Sequence, residues 1–254
     1  MINIGKYSSL HKTSVIESEC NIEIGNRTII GPNVRIFGSG KLKIGNHVKI
    51  HNNVTLCVKG EAFINDTSWI GQDSYIDATG ELIINRFSVI GIGSTICTHV
   101  RGGDILSGCK YDSDGKCVIG EDVWLMTRTL LGPYSIGSKT ISLMGSLITK
   151  DFESNKIIGG SPAIDLTDKL GKPFQEKNQE EKLHFFESKL EEYKVKNKIK
   201  NKLSYGFSLS NWDGYGTFYD LKTRKCHTSF KEEEYDLNNW LFGYKAKFSM
   251  EYDN

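Results

Sequence analysis

Residues 44 to 76 read IGNHVK-IHNNVT-LCVKGEAF-INDTSW-IGQDSY-I, a stretch in which one aliphatic residue recurs at a fixed interval. An aliphatic residue opens every block, and two blocks of six residues are followed by one of eight. The same order extends back to Ile24 and on to Ile96, so that positions twenty residues apart carry equivalent side chains. An amphipathic helix repeats at about 3.6 residues and a strand at about 2, so neither explains this spacing. The pattern predicts a repeat architecture.

The interval predicts a three-sided prism of stacked twenty-residue coils. Each large aliphatic side chain is expected in a dry axis, with a small or β-branched residue four positions later. We attribute wide corners at Gly40, Gly60 and Gly80 to turns that need positive φ. After residue 118 the count resumes in steps of six. The expected axial residues are Ile24, Ile30, Ile36, Ile44, Ile50, Leu56, Ile64, Ile70, Ile76, Ile84, Ile90 and Ile96, then Ile119, Leu125, Leu131, Gly137 and Leu143.

Three segments carry a resemblance to a known family. Ile44-Gly-Asn-His-Val48, Ile70-Gly-Gln-Asp-Ser74 and Ile119-Gly-Glu-Asp-Val123 resemble the hexapeptide repeat of left-handed parallel β-helix acyltransferases. The resemblance covers roughly residues 20–167. It implies a mainly β fold with left-handed coils, a homotrimer with active sites between subunits, and acetyl-CoA as cosubstrate.

The repeat breaks once, in a polar loop insertion over residues 98–117. A long loop on a rigid scaffold often carries function. His99 opens this loop, and on spacing alone it is equally well read as a surface or capping residue. Sugar O-acetyltransferases of the resembled family carry a His in such a loop, about one coil before a motif like Val123-Trp-Leu125. The resemblance therefore implies that His99 is the general base for direct acetyl transfer, without a nucleophilic cysteine.

Four other residues are candidates around this histidine. Asp77 lies twenty residues before Cys97 and is expected one coil below it, so it is one candidate acid to orient the imidazole. Asp104, inside the loop, is the other candidate acid. We assign Trp124 and Arg101 to substrate binding; Trp124 is equally well read as a cap on the prism.

The resemblance also implies a groove for acetyl-CoA. Relatives follow the Pro-Ala pair with a basic residue, but Ile164 stands there, so Lys169 or Lys172 is an alternative phosphate contact. Met126 replaces a glycine usual in relatives, and Lys150 alone also reads as an ordinary surface lysine. The residues carried over onto the cofactor are Thr127, Met144, Gly145, Thr149, Lys150, Gly160, Pro162 and Ala163.

The remaining chain predicts an appendage. Residues 1–167 form the expected β-helix domain, 168–202 a linker and helix, and 203–254 an aromatic-rich extension of β type. A stripe of Leu183, Phe186, Leu190 and Tyr193 predicts a helix over 175–202 that packs on the prism wall or forms a trimer stem. The Asp213-Gly214 pair predicts a hairpin turn.

Composition excludes several function classes. The 254 residues carry 32 Lys+Arg against 31 Asp+Glu, which argues against nucleic acid as a partner. No apolar run approaches the ~20 residues of a membrane span, and no signal peptide is visible. Six cysteines without a Cys-x-x-Cys pair indicate reduced thiols in a cytoplasmic protein. A zinc site of three imidazoles is not expected, because His47 and His51 lie two coils from His99, so we predict no metal.

We therefore expect an acetyl-CoA-dependent O-acetyltransferase acting on a sugar hydroxyl, of a bacterial surface polysaccharide such as capsule or O-antigen. Two alternatives stay open. One is an N-acetyltransferase of a nucleotide-linked amino sugar, which would depend less on His99. The other is a non-catalytic β-helix scaffold, which predicts no affinity for acetyl-CoA.

Overall fold

A computed structural model describes residues 1–197, 203–212, 215–228 and 232–252. The chain divides into two compact units, Met1–Phe174 and Gln175–Asn254. The first unit is built from short strands. These are β1 Ile2–Ile4, β2 Ser9–Leu10, β3 Val15–Ser18, β4 Asn21–Ile24, β5 Ile29–Ile30, β6 Arg35–Gly38, β7 Lys41–Ile44, β8 Lys49–Ile50, β9 Thr55–Val58, β10 Glu61–Ile64, β11 Trp69–Ile70, β12 Tyr75–Ala78, β13 Glu81–Ile84, β14 Val89–Ile90, β15 Thr95–Cys97, β16 His99–Arg101, β17 Asp112–Asp114, β18 Lys116–Ile119, β19 Trp124–Leu125, β20 Leu130–Leu131, β21 Ile141–Ser142, β22 Leu147–Ile148, β23 Ile157–Gly160 and β24 Ala163–Asp165, with a short helix α1 over Thr167–Leu170.

These strands form the three faces of a parallel prism. Face A contains β1, β4, β7, β10, β13 and β18; face B contains β2, β5, β8, β11, β14, β19, β21 and β23; face C contains β3, β6, β9, β12, β15, β20 and β22. The chain visits A, B and C in turn, and parallel partners in the early coils are twenty residues apart, as in the pairing of Ile44 with Ile64. The predicted fold, a left-handed parallel β-helix of hexapeptide-repeat type, is confirmed.

The aliphatic columns fill the axis as predicted. Ile44, Ile64 and Ile84 are at most 1 % exposed, and they belong to one apolar cluster whose buried members extend from Cys20 to Ala163. Burying one such side chain contributes about 1.5–3 kcal/mol relative to leaving it in water. Because each coil covers the next, this contribution is shared along the stack.

The glycines of the wide corners have a different cause from the one expected. Gly40, Gly60 and Gly80 are not in the positive-φ region. They are needed because successive corners touch: a Cβ on Gly40 would lie 1.9 Å from the carbonyl oxygen of Gly60, and one on Gly60 would lie 2.5 Å from that of Gly80. Close stacking of backbone, rather than turn conformation, therefore selects glycine here.

The predicted frame is wrong beyond Leu131. Gly137 and Leu143 were expected in the axis, but Ile136, Ser142 and Ile148 occupy it, each no more than 1 % exposed. The step after Leu131 is one residue shorter than six, and Leu131 pairs with Ile148 at an offset of 17 residues. The coils after the insertion have therefore lost the extra residues of the wide corners.

The insertion is an antiparallel hairpin and not an irregular loop. Strand β16 pairs with β17, with His99 opposite Asp114. The offset between β13 and β18 is 35 residues, since Glu81 pairs with Lys116. Gly115 closes the gap, because its N–H donates to the carbonyl of Thr98 at 2.6 Å. The hairpin thus leaves the prism at one corner and returns to the same corner without disturbing the stack.

The second unit has its own core. Helix α2 spans Gln179–Lys196, α3 spans Glu232–Gly243, a 3-10 turn covers Leu209–Asn211, and a four-stranded sheet contains β25 Leu203–Gly206, β26 Thr217–Asp220, β27 Lys225–Thr228 and β28 Ser249–Tyr252 in that order. The extension was expected to be of β type; helix α3 makes it mixed. The predicted turn at Asp213-Gly214 lies outside the described residues.

The predicted apolar stripe of α2 packs within this unit. Phe186, Leu190 and Tyr193 are buried with Tyr219 and Phe248 of the aromatic segment. The helix therefore shares one core with the described part of 203–254. The expected boundary at residue 202 does not separate them, and the stripe is buried in this core rather than on the prism or in a trimer stem. No helix among the described residues is both long enough and apolar enough to cross a membrane.

Candidate active site

His99 and Asp77 are brought together at the corner between faces C and A. Asp77 on β12 pairs with Cys97 on β15 in the next coil, and His99 follows Cys97 by two residues at the start of the hairpin. The Nδ1 atom of His99 lies 2.9 Å from Oδ1 of Asp77. Asp77 is almost buried, with 5 % of its side chain exposed, while 25 % of the His99 side chain reaches solvent. The structure thus places the sequence-predicted base beside the first of its two predicted acids.

This hydrogen bond fixes the imidazole tautomer. A carboxylate accepts hydrogen bonds and does not donate them, so Nδ1 of neutral His99 carries the ring proton and its N–H donates a hydrogen bond to Asp77. The Nε2 atom then holds a free lone pair. The backbone N–H of Thr79 donates to the same Oδ1 at 2.9 Å, which holds the carboxylate in place. The pair therefore has the arrangement of an oriented general base.

Asp104 does not take part in this pair. Its carboxylate accepts from the backbone N–H of Leu106 at 2.9 Å and from the hydroxyl of Ser107 at 2.6 Å, and these contacts lower its pKa, the Ser107 bond most of all. Of the two predicted acids, the structure joins only Asp77 to His99. The carboxylate of Asp104 instead stabilises the turn of its own loop.

Arg101 is engaged by its own hairpin. Its Nε donates to Asp112 at 2.6 Å, and its second contact is to Asp114 at 3.4 Å. The hydrogen bond to Asp112, followed by the charges of both carboxylates, raises its pKa. The guanidinium remains partly exposed. Its two ion pairs with carboxylates of β17 were not predicted from the sequence. Only the hairpin pairing, which spacing did not reveal, brings them together.

Cys97, two residues before His99, lies beside this pair. Its Sγ lies 3.9 Å from Nδ1 of His99. Burial, and secondarily the charge of Asp77, raises the pKa of the thiol. The protonated thiol is a poor nucleophile, which agrees with the expectation that no cysteine attacks the acyl group. The sequence already indicated its position, since Cys97 follows Asp77 by one twenty-residue repeat and so occupies the equivalent position in the next coil.

The residues carried over onto the cofactor lie at two different corners. Thr127, Met144 and Gly145 lie between faces B and C, where the N–H of Gly145 donates to the carbonyl of Thr127 at 3.0 Å. Thr149 and Lys150 lie at the end of face C, the corner from which the His99 hairpin emerges. One chain therefore does not bring the two sets onto one surface.

The last cofactor candidates lie at the end of the prism. Gly160 and Ala163 are paired across the turn between β23 and β24. Pro162 is exposed, whereas the side chain of Ala163 is buried in the axial core, so only its backbone is available to a ligand. Ile164, at the place of the expected basic residue, is 55 % exposed.

Trp124 lies on face B and not at the His99 corner. It is 45 % exposed and pairs with Val89 and Ile141 of the neighbouring coils. Within one chain, face C separates it from His99. His47 and His51 also lie at other corners of an earlier coil, so no cluster of three imidazoles forms with His99 in the described part of the chain.

Comparison with known proteins gives structural neighbours but no matching family model. One neighbour is a mutant of AntD, an N-acyltransferase from Bacillus cereus, in complex with dTDP-4-amino-4,6-dideoxyglucose and coenzyme A. It is 19% identical, with a TM-score of 0.49 over 73% of this chain and 91% of that chain. Another is the polysialic acid O-acetyltransferase OatWY, 19% identical, TM-score 0.29, over 69% and 91%.

A third neighbour is a hexapeptide-repeat acetyltransferase from Vibrio cholerae complexed with acetyl coenzyme A. It is 16% identical, with a TM-score of 0.34 over 65% of this chain and 69% of that chain. Likeness at this level concerns the fold.

Proposed function

We propose that this chain, a hexapeptide-repeat parallel β-helix, is an acetyl-CoA-dependent O-acetyltransferase that acts on a sugar hydroxyl. The observation that carries the proposal is the hydrogen bond of 2.9 Å from His99 Nδ1 to Asp77. It leaves a basic nitrogen, Nε2, on a half-buried imidazole at the root of a hairpin insertion.

In the proposed reaction Nε2 first accepts a proton and then donates it. A sugar hydroxyl is a weak nucleophile and must lose its proton as its oxygen attacks the thioester carbonyl. Nε2 of His99 takes that proton, and Asp77 stabilises the imidazolium through Nδ1. The C–S bond then breaks, an ester forms on the sugar, and the proton on Nε2 passes to the departing thiolate of CoA. No acyl-enzyme is formed, so no cysteine acts as nucleophile.

The acceptor is proposed to be a hydroxyl of a bacterial surface polysaccharide, in capsule or O-antigen. The support is the resemblance of His99 followed by Val123-Trp-Leu125 to sugar O-acetyltransferases. Trp124 is proposed to contact the acceptor, since an exposed aromatic ring suits the apolar face of a pyranose. Arg101 is proposed as a second acceptor contact on the hairpin.

The active unit is proposed to be a homotrimer. In one chain, Trp124 and the B–C corner with Thr127 and Gly145 lie apart from His99. A second copy whose B–C corner faces the C–A corner of the first would bring them together. Acetyl-CoA would then lie between copies, along Thr127, Met144, Gly145 and Gly160, with Lys150 as the cation near its phosphates.

The test is acceptor-dependent release of CoA, measured by chromatography because six cysteines of the protein would react with thiol dyes. Wild type and His99→Ala are compared with sialylated oligosaccharides, neutral oligosaccharides and a nucleotide-linked amino sugar. We expect release with an oligosaccharide and a loss of about 10²–10⁴-fold in the variant, the usual contribution of a general base.

Two results would overturn the proposal. Release only with the amino sugar, and little affected by His99→Ala, would indicate N-acetylation, since a free amine needs less help from a base. Absence of both release and acetyl-CoA binding would indicate a scaffold.

A further inference from the structure

Three different donor atoms converge beside the imidazole. Nδ1 of His99 lies 2.9 Å from Oδ1 of Asp77 and 3.9 Å from Sγ of Cys97. All three atoms lie within 4.8 Å of one another. They form a triangle of nitrogen, oxygen and sulfur at a corner that solvent reaches through His99 and Cys97.

The fold fixes this triangle rigidly. Asp77 and Cys97 are register partners in adjacent coils of face C, and His99 follows Cys97 by two residues. The carboxylate is also held by the N–H of Thr79 at 2.9 Å. Pairing within face C therefore positions Asp77 and Cys97, and the pairing of His99 with Asp114 in the hairpin positions the imidazole.

The donor set matches a borderline-soft divalent cation. Zn²⁺ takes imidazole nitrogen, thiolate sulfur and carboxylate oxygen in tetrahedral geometry, with bonds of about 2.0–2.3 Å that place the ligands about 3.2–3.8 Å apart. The separations of 2.9 Å and 3.9 Å lie on either side of that range and the third pair of atoms is within 4.8 Å, so side-chain rotation about fixed backbone brings the three atoms onto one ion. Three protein ligands leave the fourth position for water.

We propose that Zn²⁺ binds to Asp77, Cys97 and His99 and that the bound ion inhibits the enzyme. Binding displaces one proton, from the Cys97 thiol, and the carboxylate and thiolate then balance the two charges of the ion. The ion is an inhibitor and not a cofactor, because it occupies the atoms that orient the base.

Inhibition follows from the tautomer of the imidazole. The ion takes the lone pair of Nδ1, which requires the ring proton to lie on Nε2. Nε2 then has no lone pair for the proton of the acceptor hydroxyl. The zinc-bound enzyme therefore lacks its general base. This consequence rests on the proposed function, whereas binding of the ion does not.

Binding is measured on the full-length protein without substrate. Co²⁺ is titrated as a spectroscopic probe, since thiolate coordination gives an intense near-ultraviolet charge-transfer band, and Zn²⁺ is then added to displace it. We expect one Co²⁺ per chain, loss of the band with Zn²⁺, and no such band in Cys97→Ser. The matched control is Cys109→Ser, a partly exposed cysteine in the same hairpin region, which should bind like wild type.

Inhibition is measured as CoA release with increasing Zn²⁺, followed by a chelator. Each rate is expressed relative to the same variant without added Zn²⁺; we expect loss of activity in wild type and in Cys109→Ser, recovery on chelation, and resistance in Cys97→Ser. No charge-transfer band, or a band that survives Cys97→Ser, would overturn the site. A cysteine-dependent band in a protein without transferase activity would support the site while removing the proposed function.

Discussion

At the scale of single residues, the proposed site depends on the side chains of Asp77 and His99. Asp77 is almost buried and accepts from both Thr79 and His99. Two donors on one oxygen leave the carboxylate little freedom to move. The imidazole is consequently held in one tautomer before any substrate arrives.

Replacing the acid tests this positioning. Asp77→Asn keeps the shape but offers an amide that can donate to Nδ1 and favour the unproductive tautomer. We expect kcat to fall about 10²-fold or more, with a smaller change in the KM for acetyl-CoA. Steady-state kinetics measure it.

Asp104→Asn is the matched control, because its carboxylate bonds only within its loop in the contacts of the described structure. A fall in kcat as large in Asp104→Asn as in Asp77→Asn would contradict the assignment.

A second residue-scale prediction concerns His47. Burial, followed by the charges of Arg27 and Lys49, lowers the pKa of His47 from 6.5 to about 3. Below pH 6.5, His47 is therefore protonated in the unfolded chain while it stays neutral in the folded chain. The free energy of unfolding is therefore not reduced by His47 above pH 6.5. It falls progressively as the pH drops from 6.5 toward 3, by at most about 1.4 kcal/mol per pH unit.

The measurement is thermal unfolding from pH 7 to pH 4, followed by circular dichroism. We expect the midpoint of His47→Asn to fall less steeply than that of wild type, since asparagine tolerates the positive φ of 55° at this corner. The exposed His11→Asn serves as control. Equal slopes in wild type and His47→Asn would argue against the depressed pKa.

At the scale of elements, the hairpin β16–β17 carries the proposed base His99, whereas the coils stack without it. Residues before and after it meet at one corner, where Thr98 and Gly115 are hydrogen-bonded over Gly80. Deleting residues 99–113 joins Thr98 to Asp114 and restores the spacing that pairs Gly80 with Gly115. The stack of coils does not need the hairpin.

We therefore expect this deletion variant to keep the β-sheet circular dichroism of wild type and to shift the unfolding midpoint by only a few degrees. Acetyl transfer should be abolished, because the deletion removes His99. Collapse to an unfolded or aggregated chain would show that the hairpin holds the prism together.

The axis and the site differ in how far sequence could predict them. The columns through Ile44 and Ile64 were predictable, because a fixed interval along the chain places each of these side chains in the same axis, where it is buried. Counting twenty residues placed Asp77 one coil below Cys97, but it left Asp77 and Asp104 both as candidates for the acid. The contact between Asp77 and His99 that decides between them is visible only in the structure.

Other features depend on contacts that periodicity does not encode. The shortened step after Leu131 shifts later axial positions by one, because a corner lost a residue without leaving a composition signal. The hairpin that engages Arg101 arises from pairing between segments with no repeat. The sequence showed that glycine recurs at the corner of Gly60. The reason, contact between the backbones of stacked corners, is visible only in the structure.

At the scale of the whole molecule, the two units have separate apolar cores. The proposed chemistry lies entirely in Met1–Phe174, and the second unit contributes none of the proposed catalytic or cofactor residues. The prism alone, however, leaves Trp124 and His99 on different faces. An active site that uses both requires more than one copy.

We therefore expect light scattering after gel filtration to give three times the chain mass of 28.6 kDa. Mixed refolding of His99→Ala with Trp124→Ala should recover part of the activity that each lacks alone, because one shared site would then contain both native residues. A monomeric, fully active protein would contradict the shared site.

The most direct test of the central claim follows the acetyl group. The full-length protein is incubated with isotope-labelled acetyl-CoA and the oligosaccharide that stimulates CoA release, and the product is analysed by mass spectrometry before and after mild base. We predict a labelled acetyl ester on the sugar that mild base removes and that His99→Ala fails to form. A base-stable acetyl group, or an ester formed equally well by His99→Ala, would contradict O-acetyl transfer with His99 as the base.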